Sequence, residues 1–257
     1  MLRMTAYLND IGVPDGPFPL HPFVGTGVPD GPFPPDGGIF QQVKFRLYLQ
    51  KGGSEMEINL LTLGAYQTNC YILCAPESQT CAVIDPGYAP EKILVFLADK
   101  GLSLDAILLT HGHFDHVGGV EALVKATGCA LWMHQSDYTQ FKSAENDFFY
   151  PIHDCDFCEV HFCEEGELIH AGGLTFSVMH TPGHTWGSVC YLCENALFSG
   201  DTLFAGSCGR VDFPGSSPAQ MRASLARLAA VEEDLTIYPG HGNRSTLSAE
   251  KQTNPFF

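Results

Sequence analysis

The chain is poor in positive charge and has no long apolar runs. Its 257 residues include 13 Lys and Arg against 29 Asp and Glu, which gives a formal net charge of −16. An excess of negative charge repels phosphate backbones, so we expect no nucleic-acid substrate. No apolar stretch approaches the roughly 18 residues that a membrane helix requires, and the N-terminus lacks the charged and apolar segments of a signal peptide. We therefore expect a cytoplasmic protein with no membrane partner.

Charged residues of both signs are scarce, at 16% of the chain, whereas hydrophobic residues make up 45%. This composition is sufficient for one sizeable core, and about 200 residues fit a single two-sheet domain. The ten cysteines do not indicate a disulfide framework. Cys190 and Cys193 lie in an apparent strand that turns their thiols to opposite faces. Cys155, Cys158 and Cys163 lack a second Cys-x-x-Cys pair for a metal or redox site, so we expect reduced thiols.

Residues 1–55 differ in composition from the rest. They hold eight of the seventeen prolines and repeat Gly-Val-Pro-Asp-Gly-Pro-Phe-Pro at 12–19 and 27–34. Such a segment does not form a regular core, and a disordered extension is favoured over an arm that docks on a partner or covers the site. A start of translation at Met56 is a third hypothesis. The main folded domain is expected at residues 56–257.

Three amphipathic stretches predict helices that cover sheets. At residues 90–100, proline stands in the first turn and Gly101 follows the end. Residues 117–127 end before Gly128, and residues 217–231 carry a stripe of apolar side chains. These stripes are core features rather than cofactor sites.

A cluster of metal-ligating residue types begins where the apolar run 106–109 ends. Residues 111–116 read His-Gly-His-Phe-Asp-His, and His184, Asp201 and His241 each follow another strand-like segment. Strand ends at one edge of a sheet allow such side chains to converge. Imidazole and carboxylate ligands suit Zn²⁺, Fe²⁺ and Mn²⁺, so the set predicts a two-metal hydrolytic site. The other histidines are interpreted as ordinary surface or core residues, namely His21, His134, His153, His161, His170 and His180.

Several motifs, taken in order, make the chain resemble the metallo-β-lactamase superfamily, and within it the glyoxalase II-like hydrolases. They are Tyr-Gln-Thr-Asn-Cys-Tyr at 66–71, Val-Ile-Asp-Pro-Gly at 83–87, His-x-His-x-Asp-His at 111–116, Thr-Pro-Gly-His-Thr at 181–185, Gly-Asp-Thr-Leu-Phe at 200–204 and Pro-Gly-His-Gly at 239–242. The resemblance implies an α/β fold, a four-layer αββα sandwich with the metals at one edge. The chain also resembles the short single-domain bacterial members of this group, which end in a similar Asn-Pro-Phe segment.

The resemblance also implies a role for each ligand. It assigns a first metal to His111, His113 and His184, a second metal to Asp115, His116 and His241, and a bridging position to Asp201. Zinc is the expected ion at both positions, with iron or manganese as alternatives. Asp115 would orient the water while acting as a ligand, and a metal-bound hydroxide would attack a thioester carbonyl.

Differences between this sequence and other branches of the superfamily reduce the number of expected functions. Asp201 stands where the commonest zinc β-lactamases have a cysteine, and His113 stands where oxygen-reducing diiron relatives have a glutamate. The nuclease branches insert a large domain, whereas 39 residues separate Asp201 from His241 here. A small thioester such as S-lactoylglutathione is the expected substrate. The alternatives are a mononuclear iron persulfide dioxygenase and a non-catalytic metal-binding or redox-sensing protein; the oligomeric state is open.

Arg210 is the candidate for substrate binding. It matches a basic residue that contacts glutathione in glyoxalase II, but the aromatic residue expected two positions later is Asp212 here. An ion pair between them would weaken recognition of an anionic peptide, and a loop salt bridge without a substrate role is an equal alternative. The helical domain of full-length glyoxalase II is not matched, so the reaction type is better supported than the substrate.

Overall fold

The computed structural model describes residues 56–141 and 158–257. Two six-stranded mixed sheets form the framework. In the first sheet the strands lie in chain order: β1 (Glu57–Leu63), β2 (Thr68–Cys74), β3 (Thr80–Ile84), β4 (Ser103–Leu108), β5 (Ala130–Met133) and β6 (Val160–Phe162). The first three strands are antiparallel, whereas β3 to β6 are parallel neighbours.

The second sheet is built from the C-terminal half of the chain. Its strands are β7 (Leu168–Ala171), β8 (Leu174–His180), β9 (Val189–Cys193), β10 (Ala196–Gly200), β13 (Thr236–Pro239) and β14 (Ser245–Thr246). They lie in the order β14-β13-β10-β9-β8-β7, with β10 and β13 parallel. A separate hairpin pairs β11 (Leu203–Phe204) with β12 (Ser207–Cys208).

Within the described residues, six helices connect and cover the sheets. They are α1 (Pro90–Lys100), α2 (Phe114–Val117), α3 (Val120–Thr127), α4 (Gln135–Phe141), α5 (Pro218–Ala229) and α6 (Leu247–Thr253). The prediction for 90–100 is confirmed at both ends. The helix expected over 117–127 is instead divided: α2 ends at Val117, α3 begins at Val120, and Gly118 and Gly119 lie between them. Ser217 caps α5, and its hydroxyl accepts a hydrogen bond from the Gln220 amide.

Three apolar clusters fill the spaces between four layers. The first joins α1 and α3 to the outer face of the first sheet, and the third joins α5 and α6 to the outer face of the second. The cluster between the sheets contains Tyr71 from the first sheet and Phe176, Tyr191 and Phe198 from the second. The αββα sandwich is therefore confirmed. Among the described residues, no helix is long and apolar enough to cross a membrane.

The cysteines follow the strand alternation. Cys190 belongs to the cluster under α5 and Cys193 to the cluster between the sheets, as their spacing predicts. The nine cysteines in the described segments form no disulfide with one another. Cys155 and residues 1–55 lie outside the described residues, so the predictions for the Cys155 motif and for the N-terminal extension stay predictions.

Phe176→Ala tests the packing between the sheets. The ring is fully buried, so its removal leaves a cavity and should lower the free energy of unfolding by about 3–5 kcal/mol. Urea denaturation of the metal-free protein measures this. Val95→Ala is the matched control, because Val95 is 55% exposed on α1 and should change stability little. Equal effects of both substitutions would contradict the assigned core.

Candidate metal centre

Strand direction brings the candidate ligands to one edge of the molecule. β8 and β10 are both antiparallel to β9, and β13 is parallel to β10, so these three strands run the same way. His184, Asp201 and His241 follow their C-terminal ends. The loop after β4 carries residues 111–116 to the same place, where the Val189 amide donates to the Thr110 carbonyl at 2.8 Å. The predicted convergence of strand ends is thus present.

Two trios of side chains lie at this edge. The first trio is His111, His113 and His184, whose ligand atoms lie within 4.8 Å of one another. His113 Nδ1 is 2.8 Å from His184 Nε2. The second trio is Asp115, His116 and His241, also within 4.8 Å. Here His241 Nε2 lies 3.2 Å from His116 Nε2 and 3.2 Å from Asp115 Oδ2.

Asp201 lies between the two trios. One carboxylate oxygen, Oδ2, is 3.4 Å from His184 Nε2, and the other, Oδ1, is 3.4 Å from His116 Nε2. One side chain therefore reaches both trios. Gly240 makes room for it, since a Cβ there would lie 2.3 Å from Asp201 Oδ1.

Hydrogen bonds at Nδ1 orient four of the histidines. His184 Nδ1 donates to the Arg210 carbonyl at 2.8 Å, and His241 Nδ1 donates to the Tyr66 carbonyl at 3.1 Å. His116 Nδ1 donates to Asp85, and His111 Nδ1 lies 3.0 Å from the Thr110 hydroxyl. Because Nδ1 of each of these rings points outward, Nε2 of each ring faces the cluster.

Asp85 is a supporting residue to which the sequence motifs assigned no role. It follows β3 with a positive φ of 49°, a strained conformation for a non-glycine residue. Oδ2 accepts from the Thr110 hydroxyl at 2.6 Å and from His116 Nδ1 at 2.9 Å, while Oδ1 accepts from the Thr110 amide at 2.8 Å. Its oxygens therefore hold His116 and the end of β4, and Asp85, His111 and His116 form a third group whose possible ligand atoms lie within 4.8 Å of one another.

The electrostatics differ between the two trios. Burial, and then the neighbouring imidazoles, lower the pKa of His111 and His113, which keeps both rings neutral. Burial would also lower the pKa of His116, but the carboxylates of Asp115, Asp201 and Asp85 raise it to about 10. Burial opposes ionisation of Asp115, yet the adjacent His116 and His241 lower the pKa of its carboxyl group. The second trio therefore contains an ionised carboxylate beside imidazoles whose pKa values are raised, and the first trio is formed by imidazoles alone.

The unsatisfied atoms match the needs of a divalent cation. Within the described segments, His111 Nε2 and Asp201 Oδ1 are buried and have no hydrogen-bond partner. A buried polar atom without a partner costs about 1–3 kcal/mol, so such atoms mark a site that a bound ion would satisfy. Neutral imidazole and ionised carboxylate are also the protonation states that bind metal.

Aromatic side chains and one ion pair lie beside the cluster. The Phe213 ring is 5.6 Å from the His113 ring, and the Tyr66 ring packs edge-on against Phe114. Arg210 forms a two-point ion pair with Asp212, at 2.9 Å from Nε to Oδ1 and 2.7 Å from Nη2 to Oδ2. Its guanidinium also lies 4.3 Å from the centre of the Phe213 ring. The ion pair proposed from the sequence is present.

Known proteins resemble this chain in sequence. The model of the metallo-beta-lactamase superfamily matches residues 63–241. The hydroxyacylglutathione hydrolase GloC of Haemophilus influenzae is 34% identical over 208 residues, which cover 78% of this chain and 98% of GloC. The hydroxyacylglutathione hydrolase of Aeromonas hydrophila is 41% identical over 182 residues, which cover 71% of this chain and 64% of that relative. The chain therefore spans less than two thirds of the longer enzyme.

Solved structures resemble it in fold. The structure of TTHA1623 in a di-iron-bound form has a TM-score of 0.68 and 38% identity, and covers 77% of this chain and 100% of its own. The structure of the BLEG-1 B3 metallo-beta-lactamase has a TM-score of 0.69 and 31% identity, with 77% and 98% covered.

Asp85→Asn tests the support of His116. The amide replaces the acceptor of the His116 Nδ1–H bond, so we expect metal affinity to fall about 10- to 100-fold. Equilibrium dialysis with zinc measures this. Asp99→Asn, an exposed carboxylate on α1, is the control and should bind like the unsubstituted protein. Unchanged zinc affinity in Asp85→Asn would contradict the supporting role.

Proposed function

Because this chain belongs to the metallo-beta-lactamase superfamily and is a metal-dependent hydrolase, we propose that it cleaves a small thioester, with S-lactoylglutathione as the first candidate. The observation that carries the proposal is the pair of side-chain trios joined by Asp201. The names of the relatives from Haemophilus and Aeromonas support a glutathione thioester. We also propose that the reaction takes place in the cytoplasm, which the lack of disulfides among the described cysteines supports.

The metal ligands in this proposal are those expected from the sequence. His111, His113 and His184 would hold one ion, and Asp115, His116 and His241 a second, with Asp201 available to both. The neutral imidazoles and the oxygens of Asp201 support this division. Zinc is the first choice; iron is tested alongside it because TTHA1623 was solved in a di-iron form, and manganese because the ligand types suit it.

The reaction adds water to the thioester carbonyl and breaks the carbon–sulfur bond. Divalent ions bound at the site supply Lewis acidity and lower the pKa of water. The chain holds the groups in place: Asp115 accepts a hydrogen bond from the Thr68 hydroxyl at 3.0 Å, which leaves its ionised carboxylate fixed to orient the attacking water. The sulfur leaves with the bonding electron pair as a thiolate, so no general acid is required.

The recognition of the thiol portion is proposed to involve Arg210. Its pairing with Asp212 reduces the positive charge that an anionic glutathione moiety would meet. The side chain packs on Phe213, beside the first trio, so a thiol group bound there would lie close to the reacting carbonyl.

Removal of single ligands tests the hydrolase. We expect His184→Ala and Asp201→Ala to lower kcat/KM for S-lactoylglutathione at least about 100-fold, since loss of a supporting group alone costs about 10- to 100-fold. Thioester loss is followed after anaerobic loading with zinc, iron or manganese. His170→Ala is the matched control, because this exposed histidine pairs with Thr175 away from the cluster.

The same assay separates the alternatives. Oxygen uptake with glutathione persulfide, without thioester cleavage, would favour the mononuclear iron dioxygenase. Cleavage of a β-lactam instead of the thioester would favour the activity named for BLEG-1. Two bound metals without turnover of any of these would favour a metal-binding or redox-sensing role, and full activity in metal-free Asp201→Ala would refute the mechanism.

Asp212→Asn tests the role of Arg210. Loss of the ion pair should lower KM for S-lactoylglutathione about two- to fivefold with kcat unchanged, because an exposed ion pair is worth at most about 1 kcal/mol. A lactoyl thioester of N-acetylcysteamine, which carries no carboxylate, serves as the control substrate and should show no change. Equal KM values for both proteins with both substrates would identify the ion pair as a loop contact only.

A further inference from the structure

The carboxylate of Asp137 is buried beside the metal centre but belongs to neither trio. It lies on α4 and is fully buried. Oδ2 accepts from the Gly112 amide at 2.9 Å and from the Thr185 hydroxyl at 2.8 Å, and Oδ1 accepts from the Gly187 amide at 2.6 Å. No ion pair among the described residues includes Asp137, so hydrogen-bond donors alone compensate its charge.

These donors belong to the two loops that carry the first trio. Gly112 lies between His111 and His113, and Thr185 follows His184. Behind the loops, main-chain contacts such as the Val189 amide with the Thr110 carbonyl join the strands. Asp137 instead joins the tips of the loops, where His113 Nδ1 and His184 Nε2 approach to 2.8 Å.

The surroundings of Asp137 fit a carboxylate closely. An asparagine has one acceptor oxygen and would direct its NH₂ group at an amide or hydroxyl donor, leaving a buried N–H without a partner. A Cβ at residue 187 would lie 2.6 Å from Asp137 Cγ, so glycine permits the close approach. The Thr185 hydroxyl donates to Asp137 and accepts from Ser188 at 2.7 Å, while Ser188 Oγ accepts from the Thr185 amide at 3.0 Å.

We propose that Asp137 is a positioning residue that fixes the separation of the His111–His113 and His184 loops, and so sets the metal affinity of the first trio alone. Asp85 serves the second trio in a comparable way, through His116. This inference rests on the ligand assignment in the proposed function.

Asp137→Asn is the first test. We expect the affinity for one zinc ion to fall about 10- to 100-fold, as for other groups that orient ligands, while the second ion binds as in the unsubstituted protein. Stepwise zinc affinities from competition with a chelator measure this, and elemental analysis gives the stoichiometry. The spectrum of the cobalt-loaded protein should lose the contribution that His184→Ala also removes. Asp105→Asn is the control, because the exposed Asp105 carboxylate accepts a main-chain N–H bond from Gly172 at 2.9 Å but no bond from the ligand loops.

Thr185 provides a second, milder pair of variants. Thr185→Val keeps the shape but removes the hydroxyl that donates to Asp137, so the affinity for the same ion should fall severalfold. Thr185→Ser keeps the hydroxyl and should restore it. This pair tests the proposal even where Asp137→Asn does not fold.

The outcomes distinguish failure of the Asp137 proposal from failure of the metal-ligand assignment on which it rests. Lowered stability of metal-free Asp137→Asn with both zinc affinities unchanged would overturn the positioning role, as would equal binding by the Thr185 variants. If His184→Ala also retains both ions, the ligand assignment itself fails. Loss of one ion in His184→Ala but not in Asp137→Asn rejects Asp137 only.

Discussion

The structure depends on gathering imidazole and carboxylate groups at one edge, with their lone pairs facing inward. Each imidazole keeps this orientation only if its outward nitrogen makes a hydrogen bond, so each ring requires an acceptor at a fixed place behind it. The carbonyls of Arg210 and Tyr66 and the carboxylate of Asp85 provide those partners. The loops are therefore constrained by the outward hydrogen bonds as much as by the ligands themselves.

Packing within the sandwich stabilises this arrangement of polar groups. The strands of two sheets end at the same edge, and the apolar cluster between them, with Phe176 and Tyr191 fully buried, keeps those ends rigid. Tyr191 also donates to the Leu109 carbonyl at 2.8 Å, directly behind the loop that carries the first two histidines. Packing energy from the core thus maintains a polar cluster that would not form in an isolated loop.

The electrostatic asymmetry of the two trios has a chemical consequence. The first trio consists of neutral imidazoles, and the second contains Asp115 and is supported by Asp85. Asp201 contributes one oxygen towards each. In the proposed assignment the two metal positions therefore differ in ligand charge: the second has the carboxylate of Asp115, which is also the group proposed to orient the water, and the first has imidazoles alone apart from Asp201. The Arg210–Asp212 pair lies on the other side, next to Phe213 and the first trio.

The sequence by itself determined the helix at Pro90–Lys100, because proline, apolar spacing and the following glycine are local signals. The sandwich and the grouping of the seven candidate ligands were expected from the resemblance of its motifs to a known family, and the structure brings those side chains together. The sequence missed the separation of two helices at Gly118 and Gly119, since an apolar stripe does not show where the helical hydrogen bonding is interrupted. Asp85 stood within a recognised motif, yet its partners Thr110 and His116 lie 25 and 31 residues away along the chain. Asp137 had no sequence signal, because its three donors lie 25 to 50 residues away along the chain. Only the tertiary structure decided these contacts, since a buried carboxylate is defined by the donors that surround it.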